Sequence, residues 1–315
     1  MHGGFYMSPS TVLAWCGGTA GLIYLILFLL RRRKRVQLKG KVVLITGANS
    51  GLGKACAMVF NSAGCKVILA GRNLSKLQKV KEELQRLKSS GDLGILQVDL
   101  SDLESLGNKG QEAKAIFDAV DILVNNAGVS YRGSIEGTNM DVHQMVMNVN
   151  YFGQIALTKA LLPVLKERPG SCIVAVSSVQ GRISIPYRSA YAASKHAMQA
   201  FFDCLRAELW DTGVGVCVVN PGYIQTSLST NALCGDGSKY GVTDTTTASG
   251  LPPETVAQQI LKAVECGKPE IFPATMTQTL AITLRILAPS LFFWIMAHRA
   301  KKQSKVDARM HPKSD

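Results

Sequence analysis

The sequence predicts one α/β domain built on a doubly wound parallel sheet, preceded by a transmembrane helix. Three observations support this fold class. Six short apolar runs rich in β-branched residues recur along the chain without polar alternation, as expected for strands covered on both faces. Helical stretches separate these runs, and such alternation favours a parallel sheet. With 315 residues, of which 47% are hydrophobic, the chain can bury the core of one such domain.

The first predicted element is a membrane anchor over Thr11–Leu30, behind an N-terminal segment of residues 1–10. The anchor stretch carries no charge, and a helix rising about 1.5 Å per residue would span the roughly 30 Å of bilayer hydrocarbon. A cleaved signal peptide is the alternative interpretation. Residues 1–10 contain no Lys or Arg, and no small-residue cleavage site follows the apolar core. We therefore expect a retained, single-pass signal-anchor.

A basic linker, 31–37, follows the anchor. It contains five consecutive cations: Arg31, Arg32, Arg33, Lys34 and Arg35. The positive-inside rule places them, and the domain that follows, in the cytosol, with a lumenal domain as the alternative. The net charge of +13 is concentrated beside apolar segments, which favours a lipid bilayer over nucleic acid as a partner. We expect the endoplasmic reticulum membrane, or a peroxisomal one, although the C-terminus HPKSD carries neither targeting signal.

The eight cysteines and five histidines indicate no metal site. The sequence has no Cys-x-x-Cys pair, and its histidines lack ligand spacing. Most cysteines lie inside apolar runs, where a thiol behaves as a small hydrophobe. We expect neither a structural metal nor a disulfide scaffold.

The domain, 38–275, opens with a predicted strand that runs into a glycine-rich turn. Gly47 permits a tight turn, Gly51 lets the backbone approach a pyrophosphate, and Gly53 lets the next helix pack closely. Because the turn follows a strand and opens a helix, a Rossmann-like dinucleotide site is favoured over a plain strand-to-helix turn. The residues expected to bind the dinucleotide here are Thr46, Gly47, Asn49, Ser50, Gly51, Leu52 and Gly53.

The end of the second predicted strand indicates which dinucleotide binds. NAD sites usually place an acidic residue there for the ribose 2′-hydroxyl, but this strand ends in Gly71-Arg72-Asn73. The Arg72 guanidinium suits a 2′-phosphate, so we expect NADPH/NADP+, with a solvated arginine as the alternative. Asp99, at the end of the third strand, is expected near the adenine unless it only caps the following turn.

The fourth predicted strand ends in Asn125-Asn126-Ala127-Gly128. Small residues there would let the cofactor pass, and the asparagine amide can tie adjacent strand ends together. Taken alone, the tetrapeptide could be a turn.

The predicted chemistry rests on Ser178, Tyr191 and Lys195. Tyr191 and Lys195 are four residues apart, so a helix would put them on one face. A neighbouring ammonium favours the phenolate and would lower the tyrosine pKa from about 10, which makes Tyr191 a usable general acid or base. Ser178 ends the preceding strand, and its hydroxyl can orient the substrate oxygen. Ser177 should face the other side of that strand.

Together these motifs resemble the short-chain dehydrogenase/reductase family over residues 38 to about 275. The resemblance implies oxidoreduction of a CH–OH group with a nicotinamide cofactor. It also implies that Asn150 supports a proton-relay water with the lysine, with Asn148 as the neighbouring competitor. By the same resemblance, the residues expected around the nicotinamide are Pro221, Gly222, Ile224 and Thr226.

The stretches YFGQIALTKALLP and YGVTDTTTA resemble a membrane-anchored branch of this family. Some of that branch is tied to the reduction of acyl- or alkyl-dihydroxyacetone phosphate in lipid metabolism, which implies a lipophilic substrate. A retinoid, a steroid or a fatty ketone are the other candidates. Arg182 and Arg188 could meet a substrate phosphate, although ordinary surface arginines are the favoured interpretation.

Two segments remain on the substrate side. Ser227–Gly250 has the composition of a loop, and the family carries a substrate lid at this place; a disordered insertion is the alternative. The C-terminal region, 276–315, contains the apolar stretch Thr279–Ala297, where Arg285 and Pro289 argue against a second span. It is either an interfacial helix pair beside the substrate or a core-packing or homodimer-forming helix. A non-catalytic cofactor-binding scaffold is the alternative for the whole protein.

Overall fold

A computed structural model of the chain describes residues 17–26, 35–87 and 91–310, with only the backbone helix described for 303–310. The structure divides into two units, Met1–Arg35 and Val36–Asp315. In the first unit, residues 17–26 are helical. The rest of the predicted anchor, 11–16 and 27–30, lies outside the described residues, as do segment 1–10 and linker residues 31–34. Within the described ranges, no helix is long and apolar enough to cross a membrane.

The second unit is built on a seven-stranded parallel sheet in the order β3-β2-β1-β4-β5-β6-β7. Its strands are β1 Val42–Thr46, β2 Lys66–Gly71, β3 Leu93–Gln97, β4 Ile122–Asn125, β5 Cys172–Val176, β6 Gly215–Val219 and β7 Glu270–Ile271. The predicted Rossmann-like fold class is confirmed for this unit. The six apolar runs supply β1 to β6, whereas the two-residue β7 is too short to show a pattern. The strand order reverses between β1 and β4, where sheets of this type bind ligands.

Helices cover both faces of this sheet. They are α1 Gly51–Ser62, α2 Leu74–Arg86, α3 Leu106–Phe117, α4 Met140–Met147, α5 Gly153–Lys166, α6 Ser189–Glu208, α7 Thr245–Ala248, α8 Pro253–Glu265, α9 Met276–Leu287 and α10 Pro289–Met310. A π-helical turn, Asn148–Phe152, joins α4 to α5, and a 3₁₀ turn, Val179–Gly181, follows β5. Helix α6 begins at Ser189, so Tyr191 lies in its first turn.

The core consists of two apolar layers, one on each side of the sheet. Successive residues of a strand point to opposite faces, so Val43 and Ile45 of β1 pack in one layer while Leu44 packs in the other. The first layer contains Phe60 of α1 and the second contains Phe202 of α6, both fully buried. Burying one such side chain stabilises the fold by about 1.5–3 kcal/mol. The absence of polar alternation in the strands follows from this double coverage.

Candidate active site

The carboxyl ends of the strands converge on a cleft of about 1200 Å³. Turns and loops after β1, β2, β4, β5 and β6 contribute to its walls, as the topology requires. The predicted site residues that line it are Thr46, Gly47, Asn49, Ser50, Gly51, Leu52, Gly53, Arg72, Asp99, Asn126, Ala127, Gly128, Ser178, Tyr191, Lys195, Pro221, Gly222, Ile224 and Thr226. Asn150 is fully buried and does not line the cleft.

The glycine-rich turn has the geometry of a backbone cradle. Gly47 and Gly51 have φ angles of 67° and 52°, in the left-handed region that favours glycine. A Cβ on Gly53 would lie 2.2 Å from the Gly47 carbonyl oxygen, so this close approach of α1 requires glycine. Ser50, the N-cap of α1, makes no side-chain capping bond, which leaves the first N–H groups of the helix facing the cleft. This cradle fits a pyrophosphate.

Thr46 lies beneath this cradle and ties β1 to β4. Its Oγ1 accepts the N–H groups of Asn126 at 2.9 Å and Ala127 at 3.0 Å, and it donates to the Val124 carbonyl at 3.2 Å. The Asn126 Nδ2 donates in return to the Thr46 carbonyl at 2.9 Å. The Thr46 hydroxyl therefore fixes the cleft floor through these bonds.

A second, smaller pocket of about 450 Å³ opens where β2 ends. Its lining residues are Asn49, Arg72, Asn73 and Lys76, so it presents two cations and no carboxylate. Arg72 and Lys76 are both exposed and make no salt bridge within the described part of the chain. Sequence reasoning missed Lys76, although a second cation within the first turn of α2 was a readable signal.

Asp99 was expected near the adenine or as a turn cap. Its Oδ1 accepts the N–H of Ser101 at 2.9 Å and the hydroxyl of the same serine at 2.7 Å. Asp99 therefore caps this turn, and it lines the large cleft as well.

Ser178, Tyr191 and Lys195 meet at the end of β5. Tyr191 is buried, and the Ser178 hydroxyl forms a hydrogen bond with its phenol. The Lys195 ammonium lies 5.8 Å from the centre of the Tyr191 ring and donates to the Val176 carbonyl at 2.9 Å. Ser177, which was expected on the other side of the strand, also lines the cleft, and its hydroxyl donates to the Lys195 carbonyl at 3.2 Å. The three predicted side chains thus share one buried corner of the cleft.

Burial sets the protonation of this corner. It lowers the pKa of Lys195 to about 8. Burial also raises the pKa of Tyr191, against the opposing effects of the Ser178 hydrogen bond and the Arg132 charge. We expected Lys195 to lower the pKa of Tyr191. That expectation is wrong, because the pKa of Tyr191 is raised in this structure. The physical reason is that loss of solvation outweighs the charges around the phenol, and that the ammonium is directed at the Val176 carbonyl.

The structure separates Asn150 from its competitor Asn148. The Asn150 Oδ1 accepts the Val129 N–H at 2.8 Å, and its Nδ2 donates to the Val129 carbonyl at 2.9 Å and to the Ser194 hydroxyl at 3.0 Å. Asn148 is only half-buried. A Cβ on Gly128 would lie 3.1 Å from the Asn150 Oδ1 and 3.7 Å from the Lys195 Nζ, so these two side chains flank the same glycine. The π-helical turn, which the sequence did not predict, places Asn150 there.

The 227–250 segment is a loop that contains the short helix α7, and ion pairs of Asp244 connect it to the cleft. Arg132 donates to Asp244 at 2.5 Å and to the Ser130 hydroxyl at 2.6 Å, and Arg188 donates to the same aspartate at 3.3 Å. Both arginines are at least nine-tenths buried, so the expectation of a surface arginine is wrong for Arg188. Burial lowers the pKa of Arg188 to about 10, and the neighbouring Arg132 charge adds to this. Arg132 and Asp244 were not predicted.

The other candidate for a substrate phosphate, Arg182, is engaged elsewhere. It donates to Glu270 of β7 at 2.5 Å and lies 3.9 Å from Asp203. Arg182 does not line the cleft.

The C-terminal apolar segment forms α9 and α10, and both helices wall the cleft. The Gln278 side chain packs so closely on Gly222 that a Cβ there would lie 1.9 Å from its Oε1. The Arg299 Nη2 donates to the Tyr223 hydroxyl at 3.0 Å. The helix pair therefore contacts the 221–224 loop directly.

Comparison with known proteins places this geometry in a family. The short chain dehydrogenase family matches residues 41–234. The chain is 49% identical over 303 residues to Dehydrogenase/reductase SDR family member 7B of Rattus norvegicus, covering 95% of this chain and 93% of that protein.

Two solved structures show the same fold. A short chain dehydrogenase/reductase from Burkholderia phymatum in complex with NAD superposes with a TM-score of 0.70 at 24% identity, over 81% of this chain and 96% of that one. An alcohol dehydrogenase from Thermococcus sibiricus complexed with 5-hydroxy-NADP gives 0.65 at 24% identity, over 74% and 96% of the two chains.

Proposed function

The chain belongs to the short-chain dehydrogenase family, and on that premise we propose that it transfers hydride between NADP(H) and a hydrophobic carbonyl or alcohol. The observation that carries the proposal is the buried corner where Ser178, Tyr191 and Lys195 meet beside the glycine-rich turn. A nicotinamide bound there would supply hydride to a carbonyl carbon or accept it from an alcohol carbon.

Tyr191 is the proton donor in the reduction direction. Because burial raises the pKa of its phenol, Tyr191 is protonated at neutral pH and can deliver a proton to the carbonyl oxygen as hydride reaches the carbon. Ser178 orients that oxygen by hydrogen bonding. The positive charge of Arg132 favours the phenolate that remains. In the oxidation direction the same phenolate removes the alcohol proton.

Lys195 and Asn150 position and recharge this proton donor. With a pKa of about 8, Lys195 can both hold and release a proton near neutral pH. Asn150 fixes the Val129 backbone beside it through hydrogen bonds in both directions. By family resemblance, this pair holds the water that returns a proton to Tyr191.

The described residues fit a dinucleotide. The cradle of Gly47 and Gly53, with the N-terminus of α1 behind it, would hold the pyrophosphate. The small pocket beside Arg72 and Lys76 would hold a 2′-phosphate, which supports NADP(H) over NAD(H). By family resemblance, Thr226 and the 221–224 loop would flank the nicotinamide.

We propose a lipid substrate and a membrane location. The cleft is large and carries apolar side chains on its substrate side, among them Ile183, Leu228 and Leu284. Acyl- or alkyl-dihydroxyacetone phosphate, a retinoid or a steroid would suit such a lining. The uncharged Thr11–Leu30 stretch and the cations after it support a single-pass anchor in the endoplasmic reticulum membrane, with the domain in the cytosol.

Tyr191→Phe tests the reaction. We expect NADPH-dependent turnover of a long-chain ketone to fall about 10²- to 10⁴-fold, because the proton donor is removed without a change of shape. Ser178→Ala should also lose activity, and the control Ser62→Ala, at an exposed serine of α1 that does not line the cleft, should keep it. The measurement is NADPH absorbance under single-turnover and steady-state conditions. Equal rates for wild type and Tyr191→Phe would refute the mechanism.

The same assay addresses the scaffold alternative. A wild-type protein that binds NADPH but turns over none of a panel of aldehydes, ketones and alcohols would favour a non-catalytic role. The buried Ser178, Tyr191 and Lys195 corner supports turnover instead.

A further inference from the structure

Helix α9 is apolar but is not buried by its own domain. Seven of the twelve residues in MTQTLAITLRIL are apolar, yet none is fully buried. Such a helix normally packs its apolar side against a core or a partner. The large apolar side chains that α9 exposes are Met276 at 86%, Leu280 at 65%, Ile286 at 72% and Leu287 at 77%.

Helix α10 continues this surface. Its first two turns expose four more large apolar side chains: Leu291 at 49%, Phe293 at 54%, Trp294 at 60% and Ile295 at 37%. These eight residues of α9 and α10 are called the C-terminal apolar face below. A group of this size on one helix pair marks an interaction surface.

The opposite side of the helix pair is fixed to the catalytic domain. Phe292 is buried and lines the cleft together with Leu284 and Met296. Gln278 packs on Gly222, and Arg299 donates to Tyr223. The pair is therefore held in place, and the apolar face is presented outward from the wall of the cleft.

The charges around the C-terminal apolar face select the partner. From Ile271 to Val306 the sequence contains no carboxylate, while Arg285, Arg299, Lys301 and Lys302 supply cations. A symmetric dimer through this face would bring like charges together. An anionic bilayer suits both the cations and the apolar side chains, because its headgroups attract the cations and its acyl chains take up the apolar side chains. Trp294 suits the boundary between the two regions.

We propose that the C-terminal apolar face docks on an anionic lipid bilayer, and that lipid substrate passes along it into the cleft. Leu280 and Ile295 support the passage of substrate, because each is exposed on the C-terminal apolar face and also lines the cleft. Each of these two side chains therefore reaches both the outer surface and the cleft. The docking stands on these exposures and charges alone, whereas the passage of substrate rests on the proposed function.

Tryptophan fluorescence in full-length protein tests the docking. The chain has three tryptophans, so Trp15→Phe/Trp210→Phe leaves only Trp294, and Trp15→Phe/Trp294→Phe leaves only the control Trp210, which is even more exposed than Trp294. Each variant is reconstituted in vesicles of brominated phosphatidylcholine with or without phosphatidylserine. We expect quenching and a blue shift for Trp294, strongest with phosphatidylserine, and neither for Trp210. Equal quenching of the two, or quenching replaced by cross-links between copies through α10, would overturn the proposal.

Turnover tests the passage of substrate. Phe293→Glu/Trp294→Glu changes two face residues that do not line the cleft, and Leu87→Glu/Trp210→Glu is the matched control at exposed apolar positions elsewhere. We expect the first pair to raise the KM for a long-chain ketone in vesicles about tenfold, from the lost apolar contact, and the control to leave it unchanged. A short water-soluble ketone should be turned over equally by all three proteins.

The two proposals fail in different ways. If wild type does not reduce the soluble ketone, the proposed function is wrong, whatever Trp294 reports. If the soluble ketone is reduced and both glutamate pairs handle the vesicle-borne ketone like wild type, lipid does not pass along this face.

Discussion

Asp121 and Lys195 are buried charges at opposite ends of the same sheet, and their surroundings differ. At the amino end, the Asp121 carboxylate accepts hydrogen bonds from the Val42 N–H at 2.9 Å, from Lys41 at 2.9 Å and from Arg168 at 3.1 Å. At the carboxyl end, the Lys195 ammonium donates to the Val176 carbonyl at 2.9 Å and to the thioether sulfur of Met198 at 3.9 Å, and both of these partners are uncharged.

The pKa values of these two groups have opposite meanings for stability. Burial by itself would raise the pKa of Asp121, but the Val42 N–H and the two cations outweigh it and hold the pKa below its usual range, so the charged form is favoured. Burial lowers the pKa of Lys195 to about 8, so here the charged form is disfavoured. The amino end thus stabilises the fold, while the carboxyl end holds a destabilised charge where chemistry needs a movable proton.

Removing the Asp121 carboxylate should give the largest change in stability. Asp121→Ala leaves the Val42 N–H and the two cations without their partner, and breaking such a buried pair typically costs about 3–5 kcal/mol. We expect urea denaturation of detergent-solubilised protein to shift by this amount. The kcat of the folded fraction should stay within a factor of about two, because Asp121 lies at the end of the sheet away from the cleft.

The pH dependence gives a second measure of the same carboxylate. Its pKa is depressed in the folded state, so its stabilisation is present above the unfolded pKa of about 3.9 and is lost as the pH falls through the folded pKa. Below about pH 5, the wild type should therefore lose stability while Asp121→Asn does not lose this contribution. The difference between their free energies of unfolding should narrow as the pH falls. A difference in free energy of unfolding that stays constant from pH 7 to pH 3 would contradict the assigned role of the carboxylate.

Lys195→Met should change stability in the opposite direction. The folded pKa of about 8 lies below the unfolded value of about 10.4, so the unfolded state binds more protons between these limits. Stability of the wild type therefore rises with pH across that window. At pH 7, the free energy of unfolding of Lys195→Met should be about 1–3 kcal/mol higher than that of the wild type, once the lost hydrogen bond to Val176 is subtracted. The variant should also be inactive.

The comparison of Lys195→Met with wild type can fail clearly. The two unfolding free energies should converge as the pH rises toward 10. A variant that is less stable than wild type at pH 7 would show that Lys195 is a structural pair like Asp121, and the contrast between the two ends of the sheet would be lost.

The sequence predicted those features that local patterns encode. Strands β1 to β6, the glycine-rich turn, and the spacing of Tyr191 and Lys195 depend on neighbouring residues, and the structure brings them to one cleft. The Arg132–Asp244 contact joins residues 112 positions apart, so no local pattern reveals it. The predicted direction of the shift in the Tyr191 pKa was also wrong, because burial of the phenol depends on the whole fold.

The smallest effect is expected for Arg72, which is exposed at the carboxyl end of the sheet. Its interaction with a 2′-phosphate is screened by solvent, so Arg72→Ala should weaken NADPH binding only about tenfold and leave NADH binding nearly unchanged. Lys76→Ala should act in the same direction, because it lines the same small pocket. Titration of the protein with each dinucleotide measures both effects.

The matched control for these two variants is Lys79→Ala, an exposed cation of α2 outside both pockets, which should leave both affinities unchanged. Salt provides a further distinction. If Arg72 and Lys76 bind a 2′-phosphate, raising the ionic strength should reduce wild-type NADPH affinity more than NADH affinity, and the double variant should lose that difference. If Arg72→Ala weakened the binding of NADPH and NADH equally, the exposed cations would not be what distinguishes the two cofactors.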